Sequence, residues 1–243
     1  MKAMILAAGL GSRLQPLTNS KPKALIEING RPLLQIVIER LKYFGFNEII
    51  INVHHFKQQI IDFIDHKKKF NIRIEFSREK TLLDTGGGVQ KASWFFDDDK
   101  PFLLHNVDIL TDVDYRKLIK DFEETNPLAL LAVNARSTHR FLLFDQGTLC
   151  GWENVETGER ILLRKDINRA NRAAFMGIHF ISPQIFRYFP EEQQAFSILE
   201  TYLQAAEKGA VIRRMNFNNH TWIDVGKKES LEQAETVLEK LGI

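Results

Sequence analysis

The chain reads as an α/β protein: a mostly parallel mixed sheet flanked by helices, with an antiparallel hairpin insertion. Two observations carry this. Through the first half, short apolar runs alternate with helical patterns, the signature of βαβ units. Between Phe141 and Leu163, the turn signals Asp145-Gln146-Gly147 and Glu156-Thr157-Gly158 separate short apolar runs, as in hairpins.

The elements follow in order. Lys2–Ala7 reads as a buried strand. Leu33–Phe44 reads as a helix, with Leu34, Val37, Ile38, Leu41 and Phe44 on one face and Gly45 as its stop. Glu48–Val53 is a strand, and Phe56–His66 a helix with Ile60, Ile61 and Ile64 inward. Ile72–Phe76 and Pro101–His105 are short strands. Tyr115, Leu118, Ile119 and Phe122 mark a helix face, and Leu128–Val133 a strand. After the hairpins come a strand at Ala174–Ile181, a helix at Phe196–Glu207, and short strands at Val211–Met215 and Thr221–Ile223. A final helix, Lys228–Leu241, buries Leu231, Ala234, Leu238 and Leu241. No internal repeat or low-complexity linker breaks the pattern.

The chemistry is concentrated after the first strand. The apolar run breaks into the turn Ala8-Gly9-Leu10-Gly11-Ser12, which ends in Arg13, and Lys21-Pro22-Lys23 follows. Glycine lets backbone N–H groups approach a ligand, and successive exposed N–H groups form an anion site. With Arg13 and Lys23, the loop is suited to several phosphates. It is not a Walker loop, because no Gly-Lys-Ser/Thr follows. Nor is it a dinucleotide fingerprint, because Leu14 stands where the third glycine belongs.

The pattern L-A-A-G-x-G-S-R-x-x-P-x-T followed by P-K resembles the nucleotide loop of the sugar-nucleotidyltransferase, or nucleoside-diphosphate-sugar pyrophosphorylase, family. Three further segments extend the resemblance over essentially the whole chain. Leu83-Asp84-Thr85-Gly86-Gly87-Gly88 is similar to the family's L-E-T-G-G-G, with Asp84 in place of Glu. Phe102-Leu103-Leu104-His105-Asn106-Val107-Asp108 is similar to a strand ending N-G-D or N-A-D, with Val107 at the small-residue position. Trp222-Ile223-Asp224-Val225-Gly226 is similar to W-x-D-V-G. Short N-acetylmuramate-1-phosphate uridylyltransferases and mannose-1-phosphate guanylyltransferase-like proteins match best in length and motif order.

The resemblance implies a Rossmann-like nucleotide-diphospho-sugar transferase fold. It implies one nucleotidyltransferase domain over 1–243, with a nucleotide-binding half to about 135, a sugar-binding half from about 136, and no C-terminal β-helix domain. The implied reaction joins an NTP, with UTP or GTP favoured, to a sugar 1-phosphate, releasing pyrophosphate, as in making cell-wall or polysaccharide precursors. Ala7, Ala8, Gly9, Gly11, Ser12, Arg13, Thr85, Gly86, Gly87 and Asn106 are implied in nucleotide binding. Lys23 and Gly177 are implied at the sugar phosphate, Arg13, Lys23 and Asp108 in catalysis, and Asp108 and Asp224 as Mg²⁺ ligands.

Mg²⁺ prefers hard oxygen ligands and takes one or two protein carboxylates beside phosphate oxygens. A strand-terminal aspartate lies at the sheet edge where open α/β folds bind ligands. On their own residues, Asp108 suits a turn or helix cap better than a metal site, Asp224 a cap for the last helix, and the triple glycine a surface loop. A glycine within a strand, as in Phe175-Met176-Gly177-Ile178-His179, marks close backbone approach. Glu79, just ahead of the glycine loop, suits either a substrate contact or plain surface. His54-His55, Lys67-Lys68-Lys69 and Asp97-Asp98-Asp99 suit loop and solvated-surface roles. Cys150 has no base near it in sequence.

Composition narrows the classes. Lys and Arg number 33 against 31 Asp and Glu, a net charge of +2, so a polyanion-binding excess is absent and nucleic acid is not the expected partner. A single cysteine makes no internal disulfide, which fits a reducing cytoplasm. No apolar run approaches the about 20 residues of a membrane span, and the N-terminal run is too short for a signal peptide. A monomer or small homo-oligomer is expected. Two rival functions share the first loop: cytidylyl transfer to phosphocholine or a similar phosphate ester, and a catalytically silent regulator that binds nucleotide or sugar phosphate.

Overall fold

The computed structural model describes residues 1–164 and 170–241, with the side chains of 240 and 241 excepted. Among the described residues the first strands and helices are β1 (Lys2–Leu6), β2 (Glu27–Ile28), β3 (Arg31–Pro32), α1 (Leu33–Tyr43), β4 (Glu48–Val53), α2 (Lys57–His66), β5 (Arg73–Arg78), α3 (Asp84–Lys91), β6 (Phe102–Asn106) and β7 (Ile109–Thr111). Then come α4 (Tyr115–Thr125), β8 (Ala129–Asn134), β9 (Arg140–Asp145), β10 (Thr148–Asn154), β11 (Arg160–Leu162), β12 (Asn171–Ile181), α5 (Ile198–Glu207), β13 (Ile212–Asn216), β14 (Trp222–Asp224) and α6 (Lys228–Leu241).

The chain divides into two compact units that interleave in sequence. The first comprises Met1–Leu83, Leu104–Val113 and His220–Ile243; the second comprises Asp84–Leu103 and Asp114–Asn219. β14 returns late in the chain to pair with β7 of the first unit.

In the first unit the strands lie in the order β6, β1, β4, β5. β1–β4 and β4–β5 are parallel, with Ile5 opposite Ile51 and Ile51 opposite Phe76. Ala3, Met4, Ile5, Ile49, Ile50, Ile51 and Val53 are buried, the continuous apolar pattern of strands covered on both faces. α1 buries Leu33, Leu34, Ile36, Val37, Ile38 and Leu41, and α2 buries Ile60, Ile61 and Ile64. The antiparallel β7–β14 pair sets Leu110 against Ile223. These two pack with Ile26, Ile28, Val225 and the α6 residues Ala234 and Leu238, while Leu231 packs against the same cluster partly buried. Leu241 lies outside the described side chains.

The second unit has the order β11, β10, β13, β8, β12, with β9 pairing both β10 and β12. Its pairs are antiparallel except β8–β13. The hairpins β9–β10 and β10–β11 stand where the turn signals place them. α4 is capped by Asp114, whose carboxylate accepts from the Arg116 amide, and α5 by Ser197.

The β1–β4 and β4–β5 pairs of the first unit are parallel, whereas antiparallel pairing dominates the second. Three short strands have no counterpart in the sequence reading: β2, β3 and β7. Two or three residues are too few to display a period of two.

Candidate functional site

The residues of the phosphate loop sit in the first unit. β1 ends at Leu6, and the loop turns at Gly11, whose φ of 65° is left-handed, before a 3-10 turn at Ser12–Leu14. A Cβ at Gly11 would also lie 2.9 Å from the Thr18 methyl and 3.0 Å from the Lys23 Cβ. Glycine is therefore required twice over, by conformation and by space. Thr18, buried, donates from Oγ1 to the Gly11 carbonyl at 2.9 Å and ties the far side of the loop down. Ala7 and Ala8 are buried, whereas Gly9, Ser12 and Arg13 are exposed. At Gly9 a Cβ would meet no protein atom within 4 Å.

Lys23 opens a second 3-10 turn directly after Pro22. Its ammonium is ion-paired with the Asp108 carboxylate, and the two side chains are 11% and 19% exposed. Such a largely desolvated pair is far less screened than a surface one. Asp108 follows β6, where Asn106 is half-buried and Val107 buried. The Val107 amide donates to the Leu6 carbonyl at 3.1 Å, which holds this corner against the end of β1. The β-branched side chain of Val107 therefore packs inside the protein.

The β7–β14 pair brings the second carboxylate in. Asp224 lies opposite Ile109, and the Val225 amide donates to the Asp108 carbonyl at 2.8 Å. Gly226 then leaves room for two functional groups. A Cβ there would lie 2.7 Å from Asp224 Oδ1 and 2.8 Å from Arg13 Nη2. Arg13, Lys23, Asp108 and Asp224, drawn from three separate stretches of sequence, thus converge in one unit.

Beneath the loop lies a buried polar chain. Asn52 Oδ1 accepts from the Ala7 amide at 2.7 Å, and Asn52 Nδ2 donates to Glu79 Oε1 at 2.8 Å. Glu79 Oε2 accepts from the Leu83 amide at 3.2 Å. Glu79 is 3% exposed, so it is not plain surface. Sequence reasoning does not single out Asn52, although an amide inside the apolar run E-I-I-I-N-V is the signal that finds it. His54 Nδ1 meets the Glu79 carbonyl at 3.2 Å, a loop role for that histidine.

His105 is buried in β6, with Nδ1 2.8 Å from the Asn106 carbonyl. Burial lowers its pKa to about 4, against the opposing effect of that hydrogen bond. The imidazole is neutral at physiological pH. Burial likewise raises the Cys150 thiol, which leaves it protonated and unreactive.

Thr85, Gly86, Gly87 and Gly177 belong to the second unit. There the glycine triplet forms the first turn of α3 and is buried. The Gly86 and Gly87 amides donate to the Phe196 carbonyl at 2.9 and 3.3 Å, and Thr85 Oγ1 accepts from the Ile198 amide at 2.9 Å. These N–H groups have protein partners. A Cβ at Gly86 would strike the Phe196 ring at 2.4 Å. Gly177, φ 77°, lies in the register shift of β12 between Phe175 and His179. The Arg136 guanidinium holds that irregularity by donating to the Phe175 carbonyl at 2.6 Å.

Among the described residues no three His, Cys, Asp or Glu side chains cluster as a metal cage, and no helix is long and apolar enough to cross a membrane. Mg²⁺ takes one or two protein carboxylates beside phosphate oxygens, and the chemistry of Asp108 and Asp224 fits that.

Comparison with known proteins agrees over most of the chain. The profile of the nucleotidyl transferase family matches residues 2–240. An N-acetylmuramate alpha-1-phosphate uridylyltransferase of Neisseria meningitidis is 31% identical over 98% of both chains. A mannose-1-phosphate guanyltransferase of Aspergillus oryzae is 34% identical over 93% of this chain and 61% of its own length. A UTP–glucose-1-phosphate uridylyltransferase of Synechocystis is 27% identical over 96% of this chain; the chain spans 62% of that relative's length. Among solved structures, HddC from Yersinia pseudotuberculosis complexed with GMP-PN superposes with a TM-score of 0.77 at 22% identity, covering 97% of this chain and 98% of its own. At that identity the likeness shows the fold.

Proposed function

The chain belongs to the nucleotidyl transferase family, and on that premise we propose that it transfers a nucleotidyl group from an NTP to a sugar 1-phosphate, giving an NDP-sugar and pyrophosphate. UTP and GTP are the favoured donors, in keeping with the uridylyl- and guanylyltransferase names of its relatives. The observation that carries the reading is the convergence of Arg13, Lys23, Asp108 and Asp224 beside the glycine loop.

The chemistry asks little of acid–base groups. A phosphate monoester has a second pKa of about 6, so the sugar phosphate is largely a dianion at neutral pH and is already a nucleophile. Its oxygen forms a bond to the α-phosphorus as the bond to the β,γ-pyrophosphate breaks. The obstacle is repulsion between two polyanions, which positioning and charge neutralisation overcome. Arg13 takes the charge of the departing pyrophosphate. Lys23 neutralises the α-phosphate and the incoming phosphate. The loop amides after Ala7 orient the triphosphate. Asp108 and Asp224 would hold Mg²⁺, which supplies charge neutralisation on the phosphate oxygens when bound. The reading includes a cytoplasmic protein acting as a monomer or small homo-oligomer.

The test is a screen of four NTPs against a panel of sugar 1-phosphates and phosphocholine, read by pyrophosphate release, with nucleotide affinity measured by calorimetry. Release only when NTP, sugar 1-phosphate and Mg²⁺ are all present is expected. Turnover with phosphocholine instead supports the cytidylyltransferase reading. Tight nucleotide binding without turnover on any acceptor supports the regulator.

A further inference from the structure

The chain Ala7–Asn52–Glu79–Leu83 has a direction, and its direction follows from the chemistry of its members. A carboxylate accepts hydrogen bonds and donates none, whereas a primary amide has one accepting and one donating end. Glu79 faces two donors, Asn52 Nδ2 at 2.8 Å and the Leu83 amide at 3.2 Å. Because Glu79 accepts at both oxygens, the amide of Asn52 must turn its nitrogen toward Glu79. Its oxygen then faces the Ala7 amide at 2.7 Å. That amide is the first beyond β1, where the β1–β4 ladder ends at Leu6 opposite Asn52.

We infer that Glu79 is a positioning residue for the phosphate loop: its two accepting oxygens hold the orientation of Asn52, and Asn52 in turn pins the loop at Ala7. The inference rests on the nucleotidyl-transfer reading for its consequence, but not for its geometry. Glu79 is 3% exposed and Asn52 also 3%, so water has little access to replace a lost partner. Glu79 is further anchored by its own backbone, whose amide donates to the Val53 carbonyl at 2.8 Å.

This polarity restricts which substitutions can be accommodated. In Glu79→Gln the side chain keeps its shape but has one oxygen for two donors. If its oxygen serves Asn52, its NH₂ meets the Leu83 amide; if its oxygen serves Leu83, its NH₂ meets Asn52 Nδ2. Turning Asn52 over relieves that clash but sets an NH₂ against the Ala7 amide. Every orientation leaves one donor facing a donor. In Asn52→Asp two carboxylates confront each other. The double variant N52D/E79Q removes both conflicts. The carboxylate introduced at position 52 accepts from the Ala7 amide and from the side-chain NH₂ introduced at position 79. The oxygen of that new amide accepts from the Leu83 amide. The double variant also keeps the net charge of the native pair.

The experiment is a double-mutant cycle on the whole chain with two readouts. Amide hydrogen exchange at Ala7 and Leu83 reports the two ends of the chain without reference to any activity, and NTP affinity by calorimetry reports the consequence. N52D is expected to speed Ala7 exchange, and E79Q to speed exchange at Ala7 or Leu83, the two ends between which its mismatch falls; each is expected to weaken NTP binding by about tenfold, roughly the effect of leaving one buried donor unsatisfied. N52D/E79Q is expected to return both to within about threefold of the native protein, the non-additivity of directly bonded partners. Equal and additive losses in the double variant overturn the inference, as does native exchange at both Ala7 and Leu83 in E79Q. Native protein that binds no NTP defeats the functional reading alone, since the exchange cycle still decides the role of Glu79.

Discussion

The amide of Val225 donates to the carbonyl of Asp108 at 2.8 Å. With Asp224 in register against Ile109, this bond locks two aspartates from distant parts of the sequence onto neighbouring strand ends. The hydrophobic contact of Leu110 and Ile223 under α6 supports the same pair from below. Placing the carboxylates is therefore a task of the apolar packing of a short β-ribbon, and their chemistry depends on it.

Asp108→Asn and Asp224→Asn are each expected to lower kcat/KM about 10²–10³-fold, the usual cost of deleting one electrostatic stabiliser of a transition state. Circular dichroism and melting should show each variant folded. Because Asp108 is ion-paired with Lys23, Lys23→Ala and D108N are expected to combine less than additively. Full additivity in the steady-state rates would dissolve the proposed partnership of the two residues.

Gly226→Ala separates site geometry from stability. Its Cβ would meet the Asp224 carboxylate and the Arg13 guanidinium at under 3 Å. Both are ends of flexible side chains, so they move aside at little cost in stability but leave their working positions. Activity is expected to fall about tenfold or more, since small misplacements are costly in a positioning mechanism, while urea denaturation changes little. A fully active G226A protein would show that Arg13 and Asp224 tolerate displacement.

The opposite pattern is expected at Gly86. There a Cβ meets the Phe196 ring at 2.4 Å and the Phe196 carbonyl at 2.9 Å. Backbone and a packed ring give way poorly, and overpacking costs about 1–3 kcal/mol. Equilibrium unfolding of Gly86→Ala measures this directly. Native stability in that variant would mean that the first turn of α3 and the Phe196 segment yield easily.

His105 makes stability pH-dependent. Its folded pKa of about 4 lies below the ordinary 6.5. The unfolded chain therefore takes up a proton that the folded protein refuses as pH falls below 6.5. Stability from this source is complete above that pH and declines as pH drops toward 4. Between pH 7 and pH 5 the loss amounts to about 2 kcal/mol. Urea titrations at the two pH values should give a smaller difference for His105→Gln, whose side chain does not titrate. An identical pH dependence in native and variant proteins would assign the effect elsewhere.

Much was legible in the sequence because it is local. The period of apolar residues marks β1, α1, β4, α2 and α6, since each buries one face or both. The turn residues of the hairpins β9–β10–β11 and the cations Arg13 and Lys23 beside Gly11 are likewise carried by neighbouring letters. Tertiary structure alone decided the rest. Nothing near Glu79 in sequence announces Asn52, and nothing near Asp108 announces Val225, because these bonds join strands through space. Val107 and the glycines after Thr85 show the same limit: whether a side chain or amide faces a ligand or the protein depends on what lies across from it. Local letters determine which chemistry is available to this chain; the long-range pairing of strands decides which of those groups meet.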